Sequence, residues 1–427
     1  MPQIKLNMKI NETIRKDGLH IISCYIPHRK TIHVELVARV GYAYDLPGKQ
    51  GLFHCFEHMA FKGTSKRSSK ELSSFSSRNF LNANAATGAL GTTYSAVVID
   101  RKLPLACEYL CDIYLNSTFP QKELVKEKGP ILLEIARRKD NDFFTARQVL
   151  SEHLYKDNPI RNFGDGTLDG IRKIEKFDLI REKYKWHIPS NTVAIALGNV
   201  KHNDFIRQIN KNFPFKSHNV SHKEWADESE QLPLKNRIVI TRPDREKTII
   251  LAGCKIPKNI DERTMETFSM LGKIVGQGPG SMLWDEIREK HGLAYIVDSS
   301  YTGIEGLGYF FFIYIETEPA MQKRVEEILW QTLLRPLCSK QKFEELKEIM
   351  FDAFEITSVE QSIDYESLIW RKIVERKPVK SVEKEDKKRL KIISSLFLKD
   401  LEKVRQEYIR SERFVTVIVK PGKMAKQ

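Results

Sequence analysis

The second half of this chain repeats the order of elements found in the first half, and this repetition is the strongest constraint on its fold. Residues 105–135, "LACEYLCDIYLNSTFPQKELVKEKGPILLEI", have the pattern of an amphipathic helix, a break marked by proline, and a second helix rich in Glu and Lys. Residues 321–354 repeat that order about 220 positions later. Strand-like sequence precedes each copy, from Thr31 in the first half and from Lys247 in the second. A duplication is the economical interpretation.

The duplication predicts an α+β fold with two homologous domains, each a mainly antiparallel sheet with helices packed on one face. A chain of 427 residues is also too long for one hydrophobic core, since single cores stop growing at about 250–300 residues. Residues 215–237 are polar and lack apolar periodicity. We therefore predict an N-terminal domain over 1–215, a linker over 216–237 and a C-terminal domain over 238–427.

Composition limits the classes of partner. The net charge of +14 permits anionic partners, but the lysines are scattered and often alternate with glutamate, as on solvated helix faces. No basic stripe is interleaved with aromatic residues, so we expect no nucleic-acid partner. No apolar run approaches the roughly 18 residues of a membrane helix, so we expect no membrane association. The six cysteines are thinly spread and the amino terminus has no targeting pattern, which together predict reduced thiols and a cytoplasmic protein.

A short stretch, "FHCFEHMAFKGT", contains His54, Glu57 and His58 within five residues. Two histidines four apart on a helix present their rings on one side, and imidazole is a preferred zinc ligand. Glu57 lies near the same face, where a carboxylate can act as general base on a metal-bound water. Chance alone predicts about 0.04 such H-x-x-[DE]-H matches in this chain. The alternative interpretation is a helix that carries two solvated histidines.

A third ligand would distinguish these interpretations. Glu127 and Glu134 stand seven residues apart, which is two turns of a helix. That spacing alone is common on any charged helix face, so it leaves both interpretations open.

Residues 51–64, "GLFHCFEHMAFKGT", closely resemble the motif G-x-x-H-x-x-E-H-M-x-F-x-G-T. This is the motif of the inverted-zinc-motif metallopeptidases, the family of pitrilysin, insulin-degrading enzyme and mitochondrial processing peptidase, and every fixed letter matches. The resemblance implies that His54 and His58 bind one Zn²⁺ per chain and that Glu57 is the general base. In the family a glutamate about 76 positions beyond the second histidine completes the site, and Glu134 stands there.

Two further stretches carry the resemblance, which runs from about residue 10 to 420. Residues 281–299, "SMLWDEIREKHGLAYIVDS", resemble a second-half motif whose Arg and Tyr contact the scissile peptide, here Arg288 and Tyr295. Residues 84–94, "NAATGALGTTY", look like the family's edge strand for substrate backbone, where the asparagine also holds a substrate carbonyl. The resemblance implies that four residues of this strand bind substrate: Asn84, Ala85, Ala86 and Thr87.

The chain departs from the family pattern at two places. Leu90 stands where the family usually has Glu in the edge-strand segment, so any polar contact made there is absent. A second family glutamate corresponds to Glu127, and we predict a catalytic role for it. Gly129 and Pro130 follow it, where the family helix runs unbroken. Because a proline ring clashes with the carbonyl four residues back, we expect the helix to kink or begin there.

The residues and the resemblance together predict a zinc metalloendopeptidase that cleaves peptides or unfolded segments in an enclosed chamber. Larger family members carry four such domains, whereas this short, two-domain, bacterial-type chain carries both motifs. We therefore expect a homodimer with two composite sites, in which each zinc faces the arginine and tyrosine of the partner subunit. The positive charge suits acidic substrates, but composition does not locate it. The alternative is a non-catalytic or partner-dependent structural subunit of the same family.

Overall fold

The computed structural model describes residues 9–216, 218–233, 235–304, 306–360 and 382–422. These residues form two compact units. The chain passes from the first unit to the second between residues 223 and 224, but residues 138–162 also pack with the second unit. The predicted first domain, 1–215, contains residues 138–162 without distinguishing them, and its bounds stay a prediction. A boundary taken from composition follows chain order, so it does not register a segment that packs with a later part of the chain.

The first unit is built on a six-stranded sheet. Its strands are Lys9–Ile14 (β1), His20–Tyr25 (β2), Thr31–Ala38 (β3), Asn82–Thr87 (β4), Thr92–Ile99 (β5) and Thr192–Gly198 (β6). They lie in the order β1-β2-β6-β3-β5-β4. Neighbouring strands are antiparallel except β2 and β6, which are parallel. The sheet is therefore mainly antiparallel, as predicted, and β4 forms one of its edges.

The second unit repeats this arrangement with five strands. They are Arg237–Arg242 (β7), Thr248–Ile256 (β8), Ala294–Ile304 (β9), Gly308–Thr317 (β10) and Phe414–Pro421 (β11). Their order is β7-β11-β8-β10-β9, and only β7 and β11 are parallel among these strands. Matching β2, β6, β3, β5 and β4 to β7, β11, β8, β10 and β9 reproduces both the order and the one parallel pair. The predicted duplication is confirmed at the level of topology.

Helices follow the strands in both units. They are Leu52–Ala60 (α1), Ser69–Asn79 (α2), Leu103–Asn116 (α3), Gln121–Asp140 (α4), Asp142–Leu154 (α5), Leu168–Lys173 (α6), Lys176–Trp186 (α7), His202–Asn212 (α8), Glu262–Val275 (α9), Gln322–Leu333 (α10), Lys340–Glu360 (α11), Val382–Ser394 (α12) and Leu398–Tyr408 (α13). A π-helical turn, Trp284–Lys290, follows α9. Within the part of the chain described, none of these helices is long and apolar enough to cross a membrane.

The main core of the first unit lies on one face of its sheet. Val34 and Leu36 of β3 belong to a large buried cluster that also contains side chains of α1, α3, α4, α7 and α8. Val37 follows Leu36, so its side chain points to the opposite face of the strand, where it belongs to a smaller cluster. The helices therefore cover one face, as predicted.

The second unit differs by one helix. Its main core joins Ala252 and Cys254 of β8 to α9, α10, α11, α12 and α13. Gly253 points the other way, and a side chain there would meet Leu150 of α5 at 2.9 Å. Phe143, also in α5, packs its ring edge-to-face on Tyr314 at 5.1 Å. Helix α5 therefore covers the opposite face, an addition that the predicted domain does not contain.

Candidate metal centre

Helix α1 is fixed at its first turn by residues outside the helix. Gly51, which precedes it, has a left-handed backbone with φ of 96°. A side chain there would meet Ile171 Cδ1 at 2.6 Å and the Asp165 carbonyl oxygen at 2.8 Å, so this position requires glycine. The Asp45 carboxylate accepts hydrogen bonds from the backbone N–H groups of Gly51 at 2.6 Å and Phe53 at 3.0 Å. Burial raises the pKa of Asp45 to about 7, in opposition to these N–H groups.

The sequence of α1 divides its surface into two faces. His54, Glu57 and His58 share one face because they are three and four residues apart. The opposite face packs into the core through Leu52, Phe53, Cys55, Phe56, Met59 and Ala60. Burial raises the pKa of the Cys55 thiol to about 12, so this thiol is an inert packing group beside the histidines.

Three side chains from α1 and α4 converge. The Nε2 atoms of His54 and His58 lie 3.1 Å apart, and Glu134 Oε2 lies 3.5 Å from the first and 3.7 Å from the second. In a tetrahedral site with zinc–ligand distances of about 2.0–2.1 Å, neighbouring ligand atoms are about 3.3 Å apart. The three ligand atoms form a triangle of that size, so these residues fit one zinc ion. The other interpretation, two solvated histidines, does not account for this convergence.

The two histidines differ in the contact that the second ring nitrogen makes. His58 Nδ1 lies 3.0 Å from Glu127 Oε1, and Glu127 Oε2 lies 2.6 Å from Lys62 Nζ. His54 Nδ1 is buried without a hydrogen-bond partner among the described residues. Burial, followed by the charge of His58, lowers the pKa of His54 below its ordinary 6.5, which favours the neutral ring that binds metals.

Glu127 lies behind His58 rather than at the point where the three ligand atoms converge. Burial raises the pKa of Glu127, but hydrogen bonds from Lys62 and His58 lower it by a larger amount. The net shift of the pKa is downward, so the carboxylate is ionised. A carboxylate on the outer nitrogen of a metal-binding histidine fixes its tautomer and orientation. The sequence prediction placed Glu127 among the catalytic residues. The contacts of Glu127 are with His58 and Lys62, as expected of a residue that positions His58, and its catalytic role stays a prediction.

Helix α4 runs without interruption from Gln121 to Asp140. Of the two expected effects of Gly129 and Pro130, a helix start is therefore wrong, and a kink stays a prediction. Pro130 has no N–H group, so the carbonyl of Lys126, four residues back, has no helical hydrogen-bond partner. Both residues are exposed, so water can bind that carbonyl. The continuous helix keeps Glu127 and Glu134 two turns apart on adjacent parts of one face, which places one on His58 and the other on the ligand triangle.

Glu57 is held by the neighbouring strand. Thr87 Oγ1, at the end of β4, donates a hydrogen bond to Glu57 Oε2 at 2.5 Å. The same hydroxyl lies 3.4 Å from the carbonyl oxygen of Phe53 in the previous turn of α1. This contact joins the predicted base to the predicted substrate strand, a link that neither motif suggests by itself.

The predicted substrate strand is an edge strand with small side chains. β4, with the sequence NANAAT, pairs with β5 on one side and has no strand on its other side among the described residues of this sheet. Asn84 and Ala86 are exposed, whereas Ala85 is buried. Leu90 lies beyond β4 in the turn that leads to β5, so the departure from the family pattern falls outside the strand.

Arg288 and Tyr295 belong to the second unit, where the structure brings them together. Arg288 lies in the π-helical turn and donates a hydrogen bond to the Tyr295 carbonyl oxygen at 2.6 Å. Its guanidinium lies 4.2 Å from the ring centre of Trp284 and 5.5 Å from that of Tyr295. The Tyr295 side chain is 68% exposed. Tyr295 is exposed and Arg288 is half-buried.

Two residues of the site have no counterpart in the sequence prediction. Lys62 follows His58 by four residues, a helical spacing that could have indicated its contact with a carboxylate beside that histidine. Asp45 lies in a loop six residues before Gly51, and no local pattern marks it as the cap of α1.

Comparison with known proteins gives a consistent result. A family model described as "Insulinase (Peptidase family M16)" matches residues 20–163, and one described as "Peptidase M16 inactive domain" matches residues 177–350. A protein of Rickettsia bellii named as an uncharacterized zinc protease is 30% identical over 284 residues, which are 66% of this chain and 68% of that one. A zinc protease of Streptomyces coelicolor, also uncharacterized, is 30% identical over 306 residues, which are 70% of this chain and 66% of that one.

Solved structures share the fold. A protease from Helicobacter pylori matches with a TM-score of 0.82 and 21% identity over 97% of this chain and 100% of its own. Pitrilysin matches with a TM-score of 0.74 and 19% identity over 100% of this chain and 46% of its own, so this chain spans about half of pitrilysin. The periplasmic protease PqqL from Escherichia coli matches with a TM-score of 0.82 at 15% identity, over 98% of this chain and 48% of its own. At these identities the likeness establishes the fold alone.

Proposed function

Since this chain belongs to peptidase family M16, we propose that it is a zinc-dependent endopeptidase whose metal centre lies between α1 and α4. The observation that carries the proposal is the triangle formed by His54 Nε2, His58 Nε2 and Glu134 Oε2. Glu57 lies on the same face of α1 as the two histidines. The names of the relatives, which are zinc proteases, support the same reaction.

The proposed chemistry assigns one task to each side chain. His54, His58 and Glu134 would hold Zn²⁺, which supplies a Lewis acid that lowers the pKa of water and polarises a carbonyl group. Glu57 Oε2 is occupied by the Thr87 hydroxyl, which leaves Oε1 to take a proton from the attacking water. The same carboxyl group returns that proton to the leaving amine. Glu127 keeps the His58 ring oriented.

The proposed substrate site is the open edge of β4. An extended peptide would add to this edge as a further strand, and the small side chains of Asn84 to Thr87 leave the backbone accessible to it. Binding through the backbone makes little demand on substrate sequence. The exposed Asn84 amide would hold a substrate carbonyl.

Zinc analysis combined with a cleavage assay tests this proposal. Wild-type protein, Glu57→Gln and the matched control Glu224→Gln, which alters an exposed glutamate of the second unit, would be assayed for zinc per chain and for cleavage of a library of unstructured peptides. We expect near-stoichiometric zinc in all three. Cleavage should fall by about 10²–10⁴-fold in Glu57→Gln alone.

A second outcome would favour the other candidate, a non-catalytic or partner-dependent subunit of the same family. The model described as an inactive domain matches residues 177–350, which exclude α1 and α4. The ligand triangle of the first unit therefore favours the enzyme. Bound zinc without cleavage of any peptide by the wild type, or no zinc at all, would favour the subunit instead. The cytoplasmic location stays a prediction.

We also propose that the active form is a homodimer that encloses the substrate, with Arg288 and Tyr295 supplied to each metal centre by the partner subunit. These side chains would donate to the substrate carbonyl or to the developing oxyanion. Mixing inactive Glu57→Gln protein with inactive Arg288→Ala protein tests the arrangement, because a mixed dimer contains one intact composite site. Recovery of part of the activity is expected. Its absence in demonstrably mixed dimers would reject the shared site.

A further inference from the structure

A cationic cleft lies in the first unit, next to the metal centre. It has a volume of about 800 Å³ and is lined by the segment between α1 and α2, the start of α2 and the start of α4. One lining side chain is acidic, that of Glu123. Five are cationic: Lys62, Arg67, Lys70, Lys122 and Lys126. Part of the excess positive charge that composition indicates lies here.

Two of the five cations are neutralised by neighbours. Arg67 makes two hydrogen bonds to Glu108, at 3.0 and 2.8 Å, and Lys62 pairs with Glu127 at 2.6 Å. The other three are exposed and make no ion pair within the described part of the chain: Lys70, Lys122 and Lys126. The cleft therefore presents unpaired positive charge on two walls, one lysine from α2 and two from α4.

The details of the cleft favour carboxylates on a flexible chain over phosphate. The N-terminus of α2, which could hold a phosphate, is already capped by Glu71, whose Oε2 accepts from the Ser68 N–H at 2.7 Å. None of the described residues that line the cleft is aromatic, so a nucleobase has no ring on which to stack. Lysines act as mobile point charges, whereas the bidentate geometry of Arg67 is engaged by Glu108.

The cleft and the metal centre share a side chain. Lys62 lines the cleft, and its Nζ atom contacts Glu127, which in turn contacts His58 Nδ1 at 3.0 Å. A peptide held in the cleft is therefore close to the metal-binding helix. Tethering one part of a peptide raises the effective concentration of the rest at a neighbouring site.

We propose that this cleft is an exosite that binds an acidic segment of the peptide substrate, remote from the scissile bond. The inference rests on the proposed peptidase function and adds a substrate class to it, peptides that carry a cluster of Asp or Glu. The site would lower KM for such peptides and leave kcat for neutral peptides unchanged. Because the pairing involves exposed charges, the preference weakens as salt is added.

Binding is measured first in Glu57→Gln protein, so that the result does not depend on catalysis. Fluorescence anisotropy would follow a labelled oligoglutamate peptide and a labelled oligoglutamine peptide. The test variant replaces the unpaired cleft lysines: Lys70→Gln, Lys122→Gln and Lys126→Gln. The control makes the same change in net charge at exposed lysines elsewhere in the first unit: Lys30→Gln, Lys173→Gln and Lys211→Gln.

We expect oligoglutamate to bind more tightly than oligoglutamine, because both peptides can add to the edge of β4 but only oligoglutamate can pair with the cleft lysines. The cleft variant should weaken oligoglutamate binding by about tenfold at low salt, with little change in the control variant. Equal loss in both variants would reduce the effect to net charge and overturn the proposal, as would binding of inorganic tripolyphosphate without binding of the peptide. If binding follows the expected pattern but the wild type cleaves nothing, the proposed peptidase function fails while the acidic-peptide site stands.

Discussion

Helix α1 of the first unit and helix α9 of the second occupy the same place in a shared topology, between strands that match by order and direction. Helix α1 presents His54, Glu57 and His58 on one face, whereas the sequence of α9 contains no histidine and its buried residues are mostly apolar. Among the described residues, one group of three side chains could hold a metal ion, and it lies in the first unit. The topology is common to both units, so the metal chemistry depends on side chains placed on it rather than on the fold.

The matching edge strands differ in the same manner. β4 has six residues, all small or polar, and β9 has eleven, which include Tyr295 and Tyr301. The first edge offers backbone groups, and the second offers the exposed Tyr295, whose ring centre lies 5.5 Å from the Arg288 guanidinium. One duplicated scaffold has thus produced two kinds of surface, one suited to hold a peptide backbone and one suited to donate from side chains.

The largest effect on the difference between the units, loss of zinc binding in the first, is expected from replacing Glu134, the residue that α4 contributes to the metal centre. Glu134→Gln should abolish stoichiometric zinc binding. In the wild type, free zinc at about 100 times its Kd should stabilise the folded protein by about 2.7 kcal/mol, and the variant should lose most of that gain. Thermal unfolding with and without zinc measures it, with Glu123→Gln as the control on the same helix. Hydrogen exchange shows where the stabilisation by zinc lies: zinc should slow amide exchange in α1 and leave the exchange in α9 unchanged. Equal protection of both helices would contradict a metal centre confined to the first unit.

A smaller effect is expected from the carboxylate behind His58. Glu127→Ala removes the partner of His58 Nδ1 and should weaken zinc binding by about 10–100-fold, and Glu127→Gln, which keeps an acceptor, should recover part of the loss. Competition against a chelator measures the affinities, with Glu123→Ala as the matched control. Zinc affinity equal to that of the wild type in Glu127→Ala would mean that the contacts of Glu127 with His58 and Lys62 support the fold and not the metal centre.

The sequence predicts those parts of the site that depend on local spacing. Helical periodicity places His54 and His58 on one face, and the duplicated pattern predicts two α+β units, because both signals are contained in neighbouring residues. The third ligand is different. A spacing of seven residues is compatible with many helices, and only the resemblance to a family, followed by the contact with the histidines, selects Glu134.

The failures of prediction share one physical cause, which is dependence on residues distant in the chain. Pro130 indicates a helix break locally, yet α4 continues, with Pro130 on an exposed surface while Ile131 and Ile135 are buried in the core. Asp45 caps α1 from a loop, and residues 138–162 pack with a sheet that comes later in the chain. Packing of this kind overrides local preference, and no window of sequence contains it.

Low pH should destabilise the first unit more than the second. Burial lowers the pKa of His187, in the first unit, to about 4. Because the unfolded chain takes up a proton near the ordinary value of 6.5 and the folded chain does not, this contribution to stability is complete above pH 6.5 and is lost as pH falls toward 4. The described histidines of the second unit, His153 and His291, are not buried, so the first unit should unfold at the higher pH.

The size of this effect is bounded by one proton, which gives a slope of about 1.4 kcal/mol per pH unit. Urea unfolding of zinc-free protein at several pH values measures it, since the pH dependence of zinc binding is then excluded. His187→Gln should reduce the slope between pH 6.5 and 4. An unchanged slope would assign the acid sensitivity to other groups.

The smallest expected effect concerns two helical glycines, one in each unit. A side chain at Gly129 of α4 meets nothing within 4 Å apart from its two chain neighbours. Because the Pro130 ring crowds the Cβ of the preceding residue in a helix, Gly129→Ala should stabilise the protein by at most about 0.5 kcal/mol through helix propensity. At Gly272 of α9 the added carbon would lie 3.2 Å from the Ser299 carbonyl oxygen, so Gly272→Ala should gain nothing. Urea unfolding of both variants tests the contrast, and zinc affinity of Gly129→Ala sharpens it. Unchanged zinc affinity would show that a more rigid α4 positions Glu134 as well as the native helix does. Weaker zinc affinity would show that backbone flexibility beside Pro130 lets Glu134 reach the histidines.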